Sequence, residues 1–254
     1  MPTPLAPAEV HVWTAVPDQV SEPAAIARCE ALLSPDERAR MQRFRFERDR
    51  HIYLVAHALV RTALSRYATC APAAWTFTAN EYGRPDIAPG LCARPLRFNL
   101  SHTHGLVAVA IALERDLGVD VEHMYPRSFD LDVAGHFFAP AEVEALTALP
   151  AEAQRDRFFA YWTLKESYIK ARGMGLALPL DQFAFDLGHG LDVDLDHGDE
   201  ITLTVDPRLA DDGRAWWFHQ RRVTPEHRLA VALRRQPGEP VALQVAPLNP
   251  GATP

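Results

Sequence analysis

The chain has 254 residues, which is enough for one large domain or two small ones with hydrophobic cores. Hydrophobic residues make up 48% and charged residues 23% of the sequence, the usual composition of a globular protein. The net charge of -7 argues against a general nucleic-acid binder, because such proteins neutralise phosphates with a basic surface.

The sequence also indicates the cellular compartment. The N-terminal residues have neither the basic segment nor the apolar segment of a secretory signal, and no apolar run reaches the roughly 18 residues needed to span a membrane. The three cysteines, Cys29, Cys70 and Cys92, are scattered and odd in number, which suits a reducing cytosol. We therefore expect a cytoplasmic protein with no membrane or nucleic-acid partner.

The first half of the chain predicts strands and helices in alternation. Helical spacing of apolar residues predicts helices at 22–33 and 49–67, and alternation predicts strands at 10–16, 75–78, 97–101 and 106–113. The Ser-Pro-Asp-Glu sequence at 34–37 predicts a further helix start, because serine caps and carboxylates favour the positive end of the helix dipole. The following residues, 38–50, are rich in arginine and form either a solvated helix face or a basic patch.

The second half resembles the first in the order of its elements. Ala139-Pro140-Ala141-Glu142 opens a helix as residues 34–37 do, and the apolar strand from His227 echoes the one that follows His104, at offsets of about 105 to 123 residues. This order favours an internal duplication. We predict an α+β fold of two similar α/β subdomains, 1–118 and 119–235, with the active site in a cleft between them. The proline- and glycine-rich residues 236–254 predict a flexible tail.

A charged residue interrupts the apolar stripe of the helix that we expect to end at Gly173. Glu166 lies four residues after Trp162 and three before Ile169, and Lys170 rises from the same face. A buried carboxylate costs several kcal/mol unless a cation or hydrogen-bond donors satisfy it. Glu166 should therefore have a partner elsewhere in the chain, either a metal ion or an arginine.

Two further carboxylates follow Gly118 on a predicted strand. Because side chains alternate along a strand, Asp120 and Glu122 share one face. Together with Glu166 they form a set of oxygen ligands without thiolates, which suits Mg²⁺ or Mn²⁺. A solvated strand face is the alternative for this Asp-x-Glu pair.

Two histidines allow a different metal site. His102 and His104 point the same way on a strand, and with Asp120 they would bind Zn²⁺ in a metal-dependent hydrolase. No further histidine motif at ligand spacing completes that site.

Three motifs in order resemble the 4'-phosphopantetheinyl transferase superfamily, in its surfactin-synthetase-activating type. They are Phe98-Asn-Leu-Ser-His-Thr-His-Gly, Gly118-Val-Asp-Val-Glu, and Trp162-Thr-Leu-Lys-Glu-Ser-Tyr-Ile-Lys-Ala-Arg-Gly-Met-Gly-Leu. The resemblance covers roughly residues 40–185 and implies one chain of two similar subdomains. It also implies transfer of the phosphopantetheine arm from coenzyme A to a serine of an apo acyl or peptidyl carrier protein, by a monomer, with release of adenosine 3',5'-bisphosphate.

The resemblance assigns roles to individual residues. Asp120, Glu122 and Glu166 match the ligands of Mg²⁺ on the coenzyme pyrophosphate, and Glu122 stands where some relatives have an amide. Charge arguments make Glu166 the general base, either directly or through a metal-bound water, but a carboxylate that binds metal is a poorer base, so whether Glu166 is mainly base or mainly ligand stays open. Lys170 is the cation expected to offset pyrophosphate charge, and His102 is expected to be catalytic as well. The coenzyme-binding set is Arg40, Arg43, Arg84, Ser101, His102, Lys165 and Lys170. Tyr53 replaces a smaller polar residue, and a non-catalytic module that binds coenzyme A or a carrier is the second hypothesis.

Overall fold

The computed structural model describes residues 2–125, 129, 131–188 and 201–252. The chain divides into two compact units. The first comprises Met1–Asn80, Pro85–Glu114 and Val241–Pro254, and the second comprises Glu81–Arg84 and Arg115–Pro240. The chain leaves the first unit at Glu114, which turns it with a φ of 58°. The predicted boundary at Gly118 lies just inside the second unit.

A four-stranded sheet forms one layer of the first unit. Its order is β11-β1-β5-β4, in which β1 pairs parallel with β11 and antiparallel with β5, and β5 pairs antiparallel with β4. The strands are β1 (Glu9–Ala15), β4 (Leu96–Thr103), β5 (Leu106–Leu113) and β11 (Ala242–Pro247), and a small hairpin joins β2 (Phe77–Ala79) to β3 (Pro85–Ile87).

Three helices cover this sheet: α1 (Pro23–Leu32), α2 (Pro35–Met41) and α3 (Glu47–Leu64). Helix α3 is buried along most of its length after Ile52, and its apolar residues share one core with Trp13, Phe98 and Val109 of the sheet. The helices and strands predicted in this half are confirmed, with ends shifted by a few residues. The exception is 75–78, where the strand begins only at Phe77 because a 3₁₀ turn, Pro72–Ala74, precedes it.

The predicted flexible tail is wrong for residues 242–247, which form β11 beside β1. The amide of Ala242 donates to Ala8 O at 3.0 Å, and the Arg28 side chain donates to Gly251 O farther on. An edge strand leaves a row of backbone groups that another strand can pair with. The composition of the tail gave no sign that β1 offers such an edge. Because β11 pairs with β1, the C-terminal segment belongs to the first unit.

The second unit has a three-stranded antiparallel sheet, ordered β6-β10-β9. Its elements in chain order are β6 (Leu117–His123), α4 (Leu131–Phe137), α5 (Pro140–Thr147), α6 (Ala151–Arg172), β7 (Phe183–Asp186), β8 (Thr202–Val205), β9 (Trp216–Thr224) and β10 (His227–Arg234). Strands β7 and β8 form a separate hairpin. In the described part of the chain, no helix has both the length and the apolar character needed to cross a membrane.

Helix α6 is the central helix of the second unit and ends as predicted at Gly173, which adopts φ 66°. Residues such as Phe159, Leu164 and Tyr168 are buried with Phe218, Ala230 and Ala232 of the sheet. Each unit thus presents the same order of elements: a strand, short helices, one long helix and a closing antiparallel hairpin. This repeated order agrees with the predicted duplication and with the α+β class.

The start of α2 is joined to α3 by a largely buried ion pair. Ser34 and Glu37 form a capping box, and the Glu37 carboxylate also accepts from Arg61 Nη2 at 2.7 Å and contacts His57 Nδ1 at 3.0 Å. Burial alone would raise the pKa of Glu37, but the hydrogen bonds from His57, the Ser34 amide and Arg61 outweigh it and lower that pKa to about 2. The ionised carboxylate therefore stabilises the first unit.

We expect Glu37→Gln to lower the free energy of unfolding by up to about 3 kcal/mol at pH 7. A depressed carboxyl pKa contributes stability above the ordinary value of 4.5 and loses it as the pH falls towards 2. Urea unfolding of both proteins should show a difference that is full at pH 7 and shrinks below pH 4.5. The exposed Glu30→Gln serves as control, and a difference that does not depend on pH would contradict the assignment.

Candidate active site

Strand β6 and helix α6 bring together the residues that the sequence singled out in the second unit. Gly118, Asp120 and Glu122 alternate along β6, and their face of the strand turns towards α6. On α6, Trp162, Glu166 and Lys170 follow one another at intervals of four residues and so share a helix face. The prediction that Asp120 and Glu122 share a face with each other is confirmed.

Two direct contacts join the strand to the helix. Lys170 Nζ lies 2.6 Å from Asp120 Oδ1, and Trp162 Nε1 donates to Glu122 Oε1 at 3.2 Å. The Asp120 side chain is 5% exposed and that of Lys170 27%, so this ion pair is shielded from bulk water on one side only. The outer two residues of the helix face thus each hold one carboxylate of the strand.

Glu166 lies between those two contacts and has an altered pKa. Burial raises the pKa of Glu166, the nearby charge of Asp120 raises it further, and Lys170 acts in the opposite direction. The carboxylates of Asp120 and Glu166 are therefore close enough to repel each other. A carboxyl whose pKa is raised in this way binds a proton, or a cation, more readily than an exposed one.

Glu166 lies on a half-buried face of α6, which differs from the prediction that it interrupts the buried apolar stripe. Between Arg157 and Ala171, helix α6 is buried at every position except Trp162, Glu166 and Lys170, which are half-buried. Glu166 therefore does not interrupt the buried stripe but belongs to a separate, partly accessible one. The helix is buried around most of its circumference, and its buried positions include polar residues, so its sequence periodicity did not separate the two faces.

Aromatic rings support the N-terminal end of the half-buried stripe. The Trp162 ring stacks on Phe158 at a centroid distance of 6.0 Å and lies 6.4 Å from Phe138. These contacts fix the direction in which the indole N–H is aimed at Glu122. The role of Trp162 as a donor to a carboxylate was not predicted, because a tryptophan in an apolar stripe indicates core packing.

The predicted coenzyme contact of Lys165 stays a prediction, and in the structure its ammonium has partners within the protein. Its ammonium is 1% exposed and lies 2.8 Å from Glu142 Oε2, and it donates to Leu180 O and Phe183 O at 2.7 Å. Burial lowers the pKa of Lys165 and raises that of Glu142, while their mutual attraction opposes both shifts. Lys165 lies on the buried side of α6, one residue and about 100° away from Glu166.

The guanidinium of Arg84 contacts the far end of α6. It donates to Ala171 O at 2.8 Å and to Leu117 O at 3.4 Å, and its side chain is 13% exposed. A cation on the last carbonyls of a helix is favourable because of the helix dipole. The structure thus gives Arg84 a place at the junction of α6 and β6, and its contact with coenzyme phosphate stays a prediction.

The other predicted site residues belong to the first unit. Arg40 and Arg43 are exposed at the end of α2. Burial raises the pKa of Tyr53, the charge of Glu37 raises it further, and nearby Arg40 acts in the opposite direction. Ser101 is buried and His102 exposed near the end of β4. Within the described residues, no three His, Cys, Asp or Glu side chains are arranged to bind a metal ion, and this finding covers Asp120, Glu122 and Glu166 as well as His102 and His104.

The close approach of β6 to α6 requires glycine at position 118. A Cβ on Gly118 would lie 1.9 Å from Ser167 O and 2.6 Å from Ala171 N, distances that no real structure tolerates. An alanine would therefore push the strand away from the helix and separate Asp120 from Lys170. The sequence motif contained this glycine, but the reason for it is visible only in the packing.

We expect Gly118→Ala to lower the free energy of unfolding by about 1–3 kcal/mol or more, because overpacking forces backbone to shift. Urea unfolding measures this loss. Gly135→Ala in α4 is the matched control, since nothing lies within 4 Å of its added Cβ and alanine favours a helix. Equal stability of Gly118→Ala and the parent protein would contradict the close approach.

Comparison with known families covers most of both units. The model described as "4'-phosphopantetheinyl transferase superfamily" matches residues 116–232. The model described as "4'-phosphopantetheinyl transferase, N-terminal" matches residues 19–114. The two matches meet where the chain passes from the first unit to the second.

Individual relatives agree with these matches. The 4'-phosphopantetheinyl transferase HetI of Nostoc sp. is 36% identical over 66% of this chain and 70% of that protein. A 4'-phosphopantetheinyl transferase of Bacillus subtilis is 36% identical over 68% of this chain and 75% of that protein. The 4'-phosphopantetheinyl transferase Sfp of Bacillus subtilis strain 168 is 36% identical over 62% and 67%, respectively. The chain belongs to the 4'-phosphopantetheinyl transferase superfamily.

Proposed function

We propose that this protein transfers the 4'-phosphopantetheine arm of coenzyme A to a serine of an apo carrier protein. The serine oxygen forms a bond to the phosphorus that bears pantetheine, and the bond from that phosphorus to the adenosine 3',5'-bisphosphate breaks. The observation that carries the proposal is the cluster of Asp120, Glu122, Glu166 and Lys170 between β6 and α6. Family membership supports the same reaction.

Mg²⁺, or Mn²⁺ in its place, belongs to this proposal. The donors of Asp120, Glu122 and Glu166 are all carboxylate oxygens, the ligands that these cations prefer. Burial raises the pKa of Glu166, and the charge of Asp120 raises it further; a divalent cation would relieve this repulsion between the two carboxylates. When bound there, the cation would offset the charge of the coenzyme pyrophosphate.

The protein's own side chains supply the acid–base chemistry. Glu166 accepts the proton of the carrier serine, because its environment raises the affinity of its carboxylate for protons. Lys170 pairs with Asp120 and adds positive charge where the departing bisphosphate gains negative charge. The Trp162 N–H holds Glu122 in a fixed orientation.

The remaining coenzyme contacts are proposed for the first unit. The exposed arginines Arg40 and Arg43 suit phosphate groups, since a guanidinium binds phosphate through two parallel hydrogen bonds. His102 and Ser101 near the end of β4 are proposed for the pyrophosphate, with His102 as a catalytic residue. The proposed partner is an acyl or peptidyl carrier protein that acts with a cytoplasmic, monomeric transferase, in fatty-acid, polyketide or nonribosomal-peptide synthesis.

Glu166→Gln and Asp120→Ala should each abolish labelling of an apo carrier while the protein stays folded. Each removes a carboxylate of the cluster and leaves the core of α6 in place. Intact-mass spectrometry of the carrier, after incubation with coenzyme A and Mg²⁺, measures the gain of one phosphopantetheine arm. Circular dichroism confirms the fold.

Glu144→Gln is the matched control for these variants, because Glu144 is an exposed carboxylate of the same unit. It should label the carrier at the parent rate. Full labelling by Glu166→Gln or Asp120→Ala would reject the proposed chemistry. A parent protein that binds coenzyme A but labels no member of a panel of acyl and peptidyl carriers would be a non-catalytic module.

Removal of divalent cations should stop labelling, and added Mg²⁺ or Mn²⁺ should restore it. The reason is that the pyrophosphate and the carboxylate cluster repel each other without a cation between them. Labelling after chelation and dialysis measures this requirement. Stoichiometric zinc in the purified protein, lost on substitution of His102 or His104, would instead support the hydrolase alternative.

A further inference from the structure

Glu142 and Lys165 form a buried network in the second unit that the proposed chemistry does not use. The side chains are 0% and 1% exposed, and Glu142 also accepts the amides of Ala139 and Phe185 at 2.9 Å. The Lys165 ammonium also donates hydrogen bonds to Leu180 O and Phe183 O. We call this set (Glu142, Lys165 and the two carbonyls) the C-terminal lock. It ties α6 to the start of α5 and to the segment that leads into β7.

The first unit contains a corresponding set. Glu37 at the start of α2 accepts the amide of Ser34 at 2.8 Å and pairs with Arg61 of α3 at 2.7 Å. Arg61 in turn donates to Trp75 O at 2.7 Å and to Pro72 O at 3.3 Å. We call this set (Glu37, Arg61 and their two carbonyls) the N-terminal lock. Its four positions recur in the C-terminal lock about 104 to 108 residues later in the chain.

Both locks join the same three elements of their unit. A glutamate in the first turn of a short helix holds a cation of the long helix, and that cation holds two carbonyls of the segment that follows. Such a set restricts both rotation and sliding of the long helix, since its hydrogen bonds point in several directions. Apolar residues of the same volume would fill the space without that directional restraint.

The two locks differ in what lies beside them. In α6 the lock cation Lys165 directly precedes Glu166, whereas in α3 the residue after Arg61 is Thr62. Glu166 and Lys170 lie on the half-buried stripe beside Asp120, so any rotation of α6 about its axis moves both of them relative to β6. By limiting rotation of α6, the C-terminal lock would also limit movement of the carboxylate cluster. The residue beside the cation of the N-terminal lock, Thr62, is not a carboxylate.

We propose that Lys165 and Glu142 are positioning residues, which hold α6 at the rotation that places Glu166 and Lys170 against Asp120. This inference rests on the proposed function for its effect on turnover. It replaces the predicted coenzyme contact of Lys165 with a role exerted through the helix. The two roles differ in the kinetic constant they affect, because loss of a coenzyme contact raises KM and loss of positioning lowers kcat.

The test is the neutral double variant Glu142→Gln/Lys165→Met. The glutamine keeps an acceptor for a backbone amide, and methionine fills the space of the lysine stem without a charge. We expect a folded protein whose kcat for carrier labelling falls at least tenfold while KM for coenzyme A stays within twofold. Amide hydrogen exchange of residues 164–172, measured by mass spectrometry without substrates, should be faster than in the parent protein.

The matched control is Glu37→Gln/Arg61→Met, which neutralises the N-terminal lock in the same way. It should speed exchange in α3, leave exchange in α6 unchanged and keep the parent kcat. Equal loss of kcat in both double variants would show that the locks act only through overall stability, and would overturn the proposal.

Other outcomes also decide the question. A folded C-terminal double variant with parent kcat and parent exchange in α6 overturns the proposal, and so does a raised KM with unchanged kcat. If that variant does not fold, Glu142→Asp keeps both charges and withdraws the carboxylate by one methylene. A lower kcat of the Glu142→Asp variant supports the proposal, and an unchanged kcat overturns it. Absence of labelling by the parent protein rejects the proposed function alone, because hydrogen exchange still tests the restraint on α6.

Discussion

The position of α6 against β6 is the constraint on which the candidate site depends. Asp120 meets Lys170 and Glu122 meets Trp162 within hydrogen-bond distance, and Glu166 lies between these two contacts along α6. Gly118 permits the strand to approach the helix backbone. Burial raises the pKa of Glu166, the nearby charge of Asp120 raises it further, and Lys170 acts in the opposite direction. Burial and the neighbouring carboxylate together make Glu166 suitable to bind a proton or a cation.

An internal duplication accounts for the features that the two units share. Each unit packs one long helix on a sheet, which is antiparallel except for the pairing of β11 with β1, and each secures that helix with a glutamate–cation pair at corresponding positions. The pair is more deeply buried in the second unit, where lysine replaces arginine. The helices then differ beside this pair: in α6 the residue after the cation is Glu166, and in α3 it is Thr62. The same scaffold therefore supports different chemistry in its two copies.

Much of the fold could be predicted from local patterns, because they act over short distances. Apolar periodicity predicted the long helices and the strands β1, β4, β5, β6 and β10 but not β9, the Ser34 and Ala139 segments marked helix starts, and Gly173 marked the end of α6. The C-terminal strand was missed because its partner β1 lies more than two hundred residues earlier in the chain. Composition describes a segment's own preferences and carries no information about a distant open edge.

For the site, the sequence by itself determined the residue types: three carboxylates, a lysine four residues after the last of them, and a glycine before the first. It also determined that Asp120 and Glu122 share a strand face, because side-chain alternation is a local property. Helical spacing likewise placed Lys170 on the face of Glu166. Only the tertiary structure decided that Lys170 pairs with Asp120 and that Lys165 lies against Glu142 inside the core. The reason is that a helix buried on nearly all sides offers several apolar faces, and only the neighbouring elements decide which face each side chain shares.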